Sequence, residues 1–410
     1  MKVLRRSRRL AGCTALALTL AGAGAAVPAQ ARVTVTPSVS HVVASWGDNS
    51  WGELGDGTTA PLRALYGDIS AGSDVIQVAA GRTHNLAVRS DGTVTAWGLN
   101  GHGALGDGTT TDRSTPVQVR GLTGVITQVA AGEQFSLALR SDGTVWAWGR
   151  NDHGQLGRGT TSSGELVPAR VAVLNRVTKI SAGRDFALAL RSDGIVFAWG
   201  ANRSGQIGNG TTSFSPVSVP VKIAGLSQVT GISAGWNSSL ATENSGISAV
   251  TSVWAWGNND DGQLGDGTTA GHSTPERVTG VPVSIAGISA GGQFAAVLGT
   301  DGSVWGWGTN GLGQLNFAPT VPVTRPVSVI AAGSRITQIS AGGGHMLALR
   351  SDGTVLGWGL NVRGQLGNGI QTQVSGPVQV TNLGGATQVA AGTLASYAVH
   401  TVLVLAGQSS

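Results

Sequence analysis

The chain has 410 residues, of which 26 are Lys or Arg and 21 are Asp or Glu, and charged residues make up only 11 % of it. The basic excess lies in the first residues, where Lys2, Arg5, Arg6, Arg8 and Arg9 meet no acidic residue, so the remaining balance is 21 to 21. A near-neutral protein gives no electrostatic reason to expect a nucleic-acid partner or an anionic membrane surface.

The N-terminal segment predicts an export signal. The basic residues precede an apolar stretch from Ala11 to Val27, and Ala29-Gln30-Ala31 fits a small-residue cleavage site. We therefore expect residues 1–31 to be a signal peptide, the mature chain to begin at Arg32, and the protein to be secreted. The apolar stretch is too short to cross a bilayer comfortably, so no membrane span is expected. Ser7-Arg8-Arg9 leaves the general secretory and the twin-arginine routes both open.

Cys13 is the single cysteine of the chain and lies inside the predicted signal. A mature protein without it has no disulfide, no thiol nucleophile and no thiolate metal site. The histidines show no metal-ligand spacing, so we expect neither a metal nor a cofactor.

A short phrase recurs seven times along the chain. It consists of Trp-Gly followed by x-Asn-x-x-Gly, and its tryptophans are spaced by 51, 51, 51, 57, 51 and 51 residues. These residues are Trp46, Trp97, Trp148, Trp199, Trp256, Trp307 and Trp358. A fixed period of this size indicates a repeat architecture.

One copy of the repeat predicts four strands. Residues 126–132 form a short apolar run (strand A), 135–140 alternate (strand B), and Ser141-Asp142-Gly143 suits a tight hairpin turn. Residues 144–148 alternate again (strand C), a glycine-rich loop covers 151–161, and Pro168 precedes a fourth strand around 170–172 (strand D). The extra residues of the 57-residue spacing fall between Leu240 and Ser252, in a B–C connection.

Repeated four-stranded units predict an all-β fold, a seven-bladed β-propeller of antiparallel blades, with an open β-solenoid as the alternative. The segments 41–46, 388–392 and 396–400 read as strands C, A and B, so strands from both termini would close the last blade. Residues 401–405 either lengthen strand B or compete for the place of strand C. We expect a short N-terminal segment at 32–39, the propeller at 40–407 and a polar tail at 408–410.

The phrases of the third copy resemble the regulator of chromosome condensation repeat family. They are Ala131-Gly132-x-x-Phe135, Ser141-Asp142-Gly143-x-Val145 and Trp148-Gly149-x-Asn151-x-x-Gly154-Gln155-Leu156-Gly157. The resemblance extends from residue 41 to about 400 and implies a seven-bladed propeller. The family's usual histidine after Ala-Gly is present at His84 and His345 and is replaced elsewhere, at what we interpret as a packing position.

Several motifs match the sequence patterns of catalytic or metal sites. The G-x-S-x-G serines Ser233 and Ser289 alternate with alanine in other copies and open no helix, which favours packing over a nucleophile elbow. The Gly-Asp-Gly-Thr-Thr phrases read as turns, and the residues 258–261 as a solvated loop, with a calcium site as the alternative. The invariant Asn of the repeat is expected to take a positive φ and to bond to nearby backbone.

Specificity is expected where the copies differ. The A–B and C–D loops emerge on one face of an antiparallel meander and vary between copies, whereas the B–C turns are uniform Ser-Asp-Gly. Trp51 and Trp236 are additional to the repeat's own tryptophans; they are either interface residues or folded against their own loops. The predicted binding residues are Trp51, His102, Asp152, His153, Arg184, Arg203, Trp236, Asp260, Asp261 and Arg363.

These observations predict a secreted, monomeric, non-catalytic propeller that binds an extracellular or cell-wall protein through one face. The chain is also similar to a propeller-type β-lactamase inhibitor protein, which gives enzyme inhibition as one alternative. The family resemblance gives guanine-nucleotide exchange on a GTPase as another. A third is glycan binding or cleavage; cleavage would need paired carboxylates, and candidates are Asp152, Asp185, Asp260 and Asp261.

Overall fold

The structure, a computed structural model, describes residues 38–71, 74–244, 251–281, 284–317, 322–392 and 395–404. Residues 38–404 form one compact unit. The predicted signal peptide, the insertion at 245–250 and the C-terminal tail lie outside the described residues. Within the described part of the chain, no helix is long and apolar enough to cross a membrane.

The first half of the chain contributes fourteen strands. They are β1 (Ser38–Asp48), β2 (Leu62–Ile69), β3 (Val75–Ala80), β4 (His84–Arg89), β5 (Val94–Gly98), β6 (Arg113–Gln118), β7 (Ile126–Ala131), β8 (Phe135–Arg140), β9 (Val145–Asn151), β10 (Ser162–Arg170), β11 (Val177–Ala182), β12 (Phe186–Arg191), β13 (Val196–Asn202) and β14 (Ser213–Lys222).

The second half contributes fourteen more. They are β15 (Val229–Ala234), β16 (Ser238–Asn244), β17 (Thr251–Gly257), β18 (His272–Arg277), β19 (Ile285–Ala290), β20 (Phe294–Gly299), β21 (Val304–Gly308), β22 (Val323–Ile330), β23 (Ile336–Ala341), β24 (His345–Arg350), β25 (Val355–Gly359), β26 (Val374–Gln379), β27 (Ala386–Ala391) and β28 (Ala395–Val404).

The described strands pair into seven antiparallel sheets of four. Sheets 1 to 6 take consecutive groups of four strands, from β3–β6 to β23–β26, and the terminal sheet has the order β2-β1-β28-β27. The expected all-β propeller of four-stranded antiparallel blades is confirmed. In the terminal sheet β28 continues to Val404 and pairs with β1 along its length, so residues 401–404 lengthen the second strand.

The fourth strand differs from its prediction. β10 runs from Ser162 to Arg170 and contains Pro168, whereas the sequence placed the strand after this proline. The strand lies at the edge of its sheet. Pro168, which has no N–H group, therefore need not break a hydrogen bond between strands. The segment 245–250 connects β16 to β17, which places the insertion between the second and third strands as predicted.

Apolar side chains fill the junctions between sheets. Among the described residues, one cluster joins Val88 and Val94 of sheet 1 to Trp148 of sheet 2, and the next joins Val145 to Trp199 of sheet 3. Clusters of the same kind join sheet 6 and sheet 1 to the terminal sheet. Both faces of each sheet are therefore buried against neighbours, which explains why the third strands carry apolar residues on both sides.

The seven repeat tryptophans lie in these junctions with no exposed surface. Each indole Nε1–H donates a hydrogen bond of 2.8–2.9 Å to a backbone carbonyl in the C–D loop of the preceding sheet, as from Trp148 to Ala104. The predicted position between blades is confirmed, and each tryptophan also fixes a loop of its neighbour.

The first strands are tied to one another by two alternative side chains. Gln77, Gln128, Gln338 and Gln388 each bond twice to the backbone of the next first strand. Ser181, Ser233, Ser289 and Ser340 each accept a bond from the next strand's N–H group. The serines are therefore more than small packing residues, which corrects that part of their interpretation. They remain on strands that no helix follows.

Removing Ser233 and Ser289 should weaken two junctions. The Ser233→Ala/Ser289→Ala variant leaves the N–H groups of Ala290 and Ala341 without their partners. We expect the free energy of unfolding to fall by about 2 kcal/mol for the pair, measured by denaturant titration. The control is Ser215→Ala on the exposed edge strand β14, which should stay within about 0.5 kcal/mol of the unsubstituted protein. Equal stabilities would show that the serines only fill space.

Candidate functional site

The loops after the first and third strands of the sheets (A–B and C–D loops) lie on one face, which we call the variable face. Loops of neighbouring sheets contact each other there: Gln293 donates to Asp261 at 2.6 Å, and Arg150 lies 3.7 Å from Asp185. Ser-Asp-Gly turns in sheets 1, 2, 3 and 6 and a Thr-Asp-Gly turn in sheet 5 join the second and third strands at the opposite ends. The structure thus places the variable loops together, as the strand pattern predicts.

The invariant asparagine builds each C–D loop. In sheet 2, Asn151 Oδ1 accepts the N–H of Leu156 at 3.1 Å, and its Nδ2 donates to the Thr160 carbonyl at 3.0 Å. The same acceptor bond occurs in the other copies. The backbone role is confirmed, but the expected positive φ is wrong. The positive φ falls instead on the glycine three residues later, such as Gly154 at 67°, where a Cβ would lie 2.8 Å from Ser218 Cα.

Aspartates in the Gly-Asp-Gly-Thr phrases act in turns. Asp107 Oδ1 accepts the N–H and the hydroxyl of Thr109, and Arg113 donates two bonds to its other oxygen. Asp266 binds Thr268 and His272 in the same way. Their oxygens are occupied by donors, which supports the turn interpretation over calcium. Within the described residues, no group of three or more His, Cys, Asp or Glu side chains is placed to hold a metal ion.

A side chain four residues after the invariant Asn anchors the tip of each of six C–D loops. Five copies have glutamine here, and its Oε1 accepts the N–H two residues earlier, as in Gln314 with Leu312 at 2.8 Å. In the β1–β2 loop the position is Glu53, which is 1 % exposed and accepts the N–H of Trp51 at 2.7 Å. One loop of the variable face therefore carries a carboxyl group where others carry an amide.

Burial raises the pKa of Glu53 from an ordinary 4.5 to about 7, and the nearby Asp48 carboxylate adds to the shift. The hydrogen bonds from backbone N–H groups oppose it. Near neutral pH this carboxyl group is therefore divided between its two protonation states, directly beneath the backbone of Trp51.

Trp51 and Arg363 belong to adjoining loops. Trp51 is 49 % exposed, so it is not folded away against its own loop. Arg363, on the C–D loop of sheet 6, lies 3.4 Å from the Asp48 carboxylate, which also accepts two bonds from Ser50. The exposed Val362 stands beside Arg363. This part of the face combines an aromatic, an aliphatic and a cationic side chain.

Asp152, His153 and Arg184 belong to one charged network. Asp152 binds His153 Nδ1 at 2.9 Å and Arg150 at 2.5 Å, and Arg150 reaches across to Asp185. Arg184 contacts both Asp185, at 3.5 Å, and Glu133, at 2.6 Å. The candidate carboxylates Asp152 and Asp185 are thus separated by an arginine.

The network ends at the propeller axis, where Arg82 also binds Glu133. Burial raises the pKa of Asp185, and Glu133 raises it further, against the opposing effects of His153, Arg150 and Arg184. The predicted binding residues do not include Glu133, Arg150 or Arg82, and Asp185 is predicted only as a candidate carboxylate for cleavage. Their variability among copies is visible in the sequence, but their pairing depends on contacts between separate loops.

Trp236 lies at the mouth of an axial cavity of about 260 Å³. The cavity is lined by the alanine and glycine at the end of each first strand, including Ala131 and Gly132. A Cβ on Gly132 would lie 2.1 Å from the Phe135 ring, so this close approach requires glycine. Phe135 and its equivalents His84 and His345 are buried, as the packing interpretation predicts. Burial lowers the pKa of His84 to about 4.

The remaining predicted residues lie apart from these groups. His102 Nδ1 contacts the Ser163 carbonyl at 2.8 Å. Asp260 accepts from Asn258, and Asp261 from Gln293, so amide donors bind the oxygens considered for calcium. Arg203 stacks over Phe214, which is 84 % exposed. Phe214 is a further surface residue that the sequence analysis did not select, because it lies at the start of an edge strand.

The fold and the loop geometry define a propeller of repeated blades with one differentiated face. Residues 42–287 match the family model of the RCC1-like domain, and segments 285–314, 336–365, 301–349 and 352–399 match models of the regulator of chromosome condensation (RCC1) repeat. The chain belongs to the RCC1-like family, which confirms the family resemblance of the sequence.

Its relatives differ in their overall organisation. The chain is 32 % identical over 351 residues to the ultraviolet-B receptor UVR8 of Arabidopsis thaliana, covering 84 % of this chain and 78 % of that protein. It is 31 % identical over 374 residues to the human E3 ubiquitin-protein ligase HERC2, covering 87 % of this chain but 8 % of that protein. Yeast RCC1 (Prp20), solved bound to Kap60, superimposes with a TM-score of 0.80 at 23 % identity, covering 96 % of this chain and 97 % of that one. The last likeness concerns the fold alone.

Glu53 should make stability pH-dependent. Its pKa is higher in the folded than in the unfolded chain, so the folded protein holds the proton more tightly. The contribution of Glu53 to stability should therefore fall by roughly 2–3 kcal/mol as pH rises from 4.5 to about 7, and stay level above that. Denaturant titrations from pH 4.5 to 8 should show this fall reduced in Glu53→Gln.

The matched control installs the same carboxyl group elsewhere. Gln314→Glu changes the equivalent buried position of sheet 5 and should add a pH dependence of the same sign. If Glu53→Gln keeps the full pH profile of the unsubstituted protein, the buried carboxyl group is not its source.

Proposed function

We propose that the chain is a secreted, non-catalytic, seven-bladed propeller that binds a protein partner through the variable face. The observation that carries this proposal is the division between a constant scaffold and variable loop tips. The same Trp, Asn and loop-glycine contacts recur from sheet to sheet, while the side chains they present range from Trp51 to Arg203. A rigid frame that holds differing side chains on one face suits recognition.

The exposed residues suit a protein interface. Trp51 and Phe214 offer large aromatic surfaces, and Arg363, Arg184 and Arg203 provide planar cationic groups; Trp and Arg are enriched among the residues that dominate binding energies. Loop contacts hold polar groups around them, as Asp48 holds Ser50, which limits the ordering needed on binding. We place the partner among extracellular or cell-wall proteins, because the first 31 residues fit an export signal.

A closed ring of blades would make this frame rigid. Seven described sheets, the pairing of β1 with β28 and the two bonds between Gln388 and Val78 are what a closed seven-bladed ring would have. We infer that the protein acts as a monomer, with its partner spanning several loops.

The exposed Trp51 and the half-buried Trp236 should be required for partner capture. The immobilised mature chain would be exposed to secreted and cell-wall proteins beside a Trp51→Ala/Trp236→Ala variant. We expect one protein to be retained at least tenfold less by the variant, because it loses two aromatic contacts. The control is Val125→Ala/Val173→Ala, which removes exposed apolar side chains near the opposite face and should capture normally.

Equal retention by the tryptophan variant would contradict binding through these residues. Capture of a β-lactamase or wall enzyme would specify the function as inhibition, to be checked by assaying that enzyme with the purified chain. Capture of a GTPase would specify the exchange activity instead.

The export signal is tested separately. When all 410 residues are expressed in a bacterial host, the protein should be found outside the cytoplasm. Its mass should be that of a chain that begins at Arg32. Ala31→Gln should block processing, because the cleavage site requires a small residue. Ala25→Gln, inside the apolar stretch but away from the site, is the control. Retention of an uncleaved chain in the cytoplasm would overturn secretion.

A further inference from the structure

Five described A–B loops each place one residue at the mouth of the axial cavity: Arg82, Glu133, Arg184, Trp236 and Gly343. Main-chain hydrogen bonds link successive loops there: the N–H of Glu133 donates to Arg184, that of Arg184 to Trp236, and that of Trp236 to Gly291. Similar bonds join Arg82 to Gly132, Gly292 to Gly342 and Gly343 to Gly392. Because the backbone is fixed by its own bonds, the side chains alone decide what the mouth can bind.

On one side of the mouth, two guanidinium groups bind one carboxylate. Arg82 and Arg184 bind the two oxygens of Glu133, whose side chain is 9 % exposed, while the arginines remain 48 % and 46 % exposed. Each guanidinium has five N–H donors, and each uses one of them on Glu133. Asp185 lies 3.5 Å from Arg184 and 3.7 Å from Arg150, and Arg150 also binds Asp152. The two mouth arginines therefore keep exposed N–H donors next to a carboxylate that they already bind.

The other side is apolar. Trp236 is half-buried, and a Cβ on Gly292 would lie 3.2 Å from its Cε2 atom, so the indole lies against the glycine loops. Below it the cavity wall is a ring of alanines, among them Ala234, Ala290 and Ala341. Its volume of about 260 Å³ is below the usual range of drug-sized ligand sites, and suits one or two side chains.

We propose that the partner inserts an acidic side chain, Asp or Glu, into this mouth. Its carboxylate is bound by the free donors of Arg82 and Arg184, and its methylene groups and an adjacent apolar residue lie against Trp236 and the alanine ring. Glu133 shows that this arginine pair binds a carboxylate in this place. Bidentate arginine–carboxylate contacts give the geometric selectivity that a lysine pair would not. The inference rests on the proposed function and specifies its central contact.

The test uses two peptides and the full-length mature chain. The probes are acetyl-Gly-Leu-Glu-Leu-Gly-amide and the same peptide with Gln in place of Glu, titrated into protein labelled with ¹⁵N at tryptophan. Binding of the Glu peptide should shift the Trp236 indole resonance, assigned with Trp236→Phe, and should be at least tenfold tighter than that of the Gln peptide. Raising the salt concentration should weaken it.

Variants locate the contact. Arg82→Gln and Arg184→Gln should each weaken binding of the Glu peptide by about tenfold and leave binding of the Gln peptide unchanged. Arg82→Lys should lose part of the preference for the Glu peptide over the Gln peptide. Arg170→Gln, an exposed arginine on the edge strand β10, is the charge-matched control and should bind normally. Equal binding of both peptides, no binding of either, or full binding by both arginine variants would overturn the inference.

This outcome is separable from that of the proposed function. A partner that is lost by the tryptophan variant but retained at full strength by Arg82→Gln and Arg184→Gln would leave protein binding intact and refute the acidic insertion. A partner that depends on both sets of residues would support both.

Discussion

The tryptophan hydrogen bond between sheets is the contact on which the rest of the architecture depends. Each repeat tryptophan fills a junction and also holds, through Nε1, the carbonyl beneath the neighbouring loop tip. Replacing such a residue by alanine typically costs about 3–5 kcal/mol in packing alone, and here it would release a loop as well. The indole thus belongs both to the core and to the frame of the variable face, which explains why every copy keeps it.

A second layer of bonds allows more variation. The first strands are joined by glutamine in some junctions, by serine in others and by both Gln338 and Ser340 in one. Glycine occupies the glutamine position in sheets 4 and 5, where Ser233 and Ser289 serve. Either side chain pairs with the exposed edge of the neighbouring backbone, so the requirement is a satisfied bond, not a particular residue. The near-neutral charge of the folded repeats is consistent with this design, since neutral bonds and apolar contacts hold the junctions.

The repeat period, the strand order and the grouping of the variable loops could be predicted from the sequence, because each depends on local patterns that seven copies repeat. The pairing of side chains from different loops could not be predicted from it. Asp152 and Asp185 are 33 positions apart, and only the placement of Arg150 between them determines that they share a cation. Most first strands carry either Gln or Ser at the two bonding positions, and this pattern in the sequence could have predicted the bonds between the strands. The substitution of Glu53 for glutamine was equally readable, but its protonation depends on burial that no spacing reveals.

The network of main-chain bonds between successive A–B loops has an evolutionary consequence. Its bonds use backbone atoms only, so a change of side chain at Arg82 or Glu133 breaks none of them. New combinations of side chains at the mouth can therefore arise one substitution at a time while the main-chain bonds between the loops are kept.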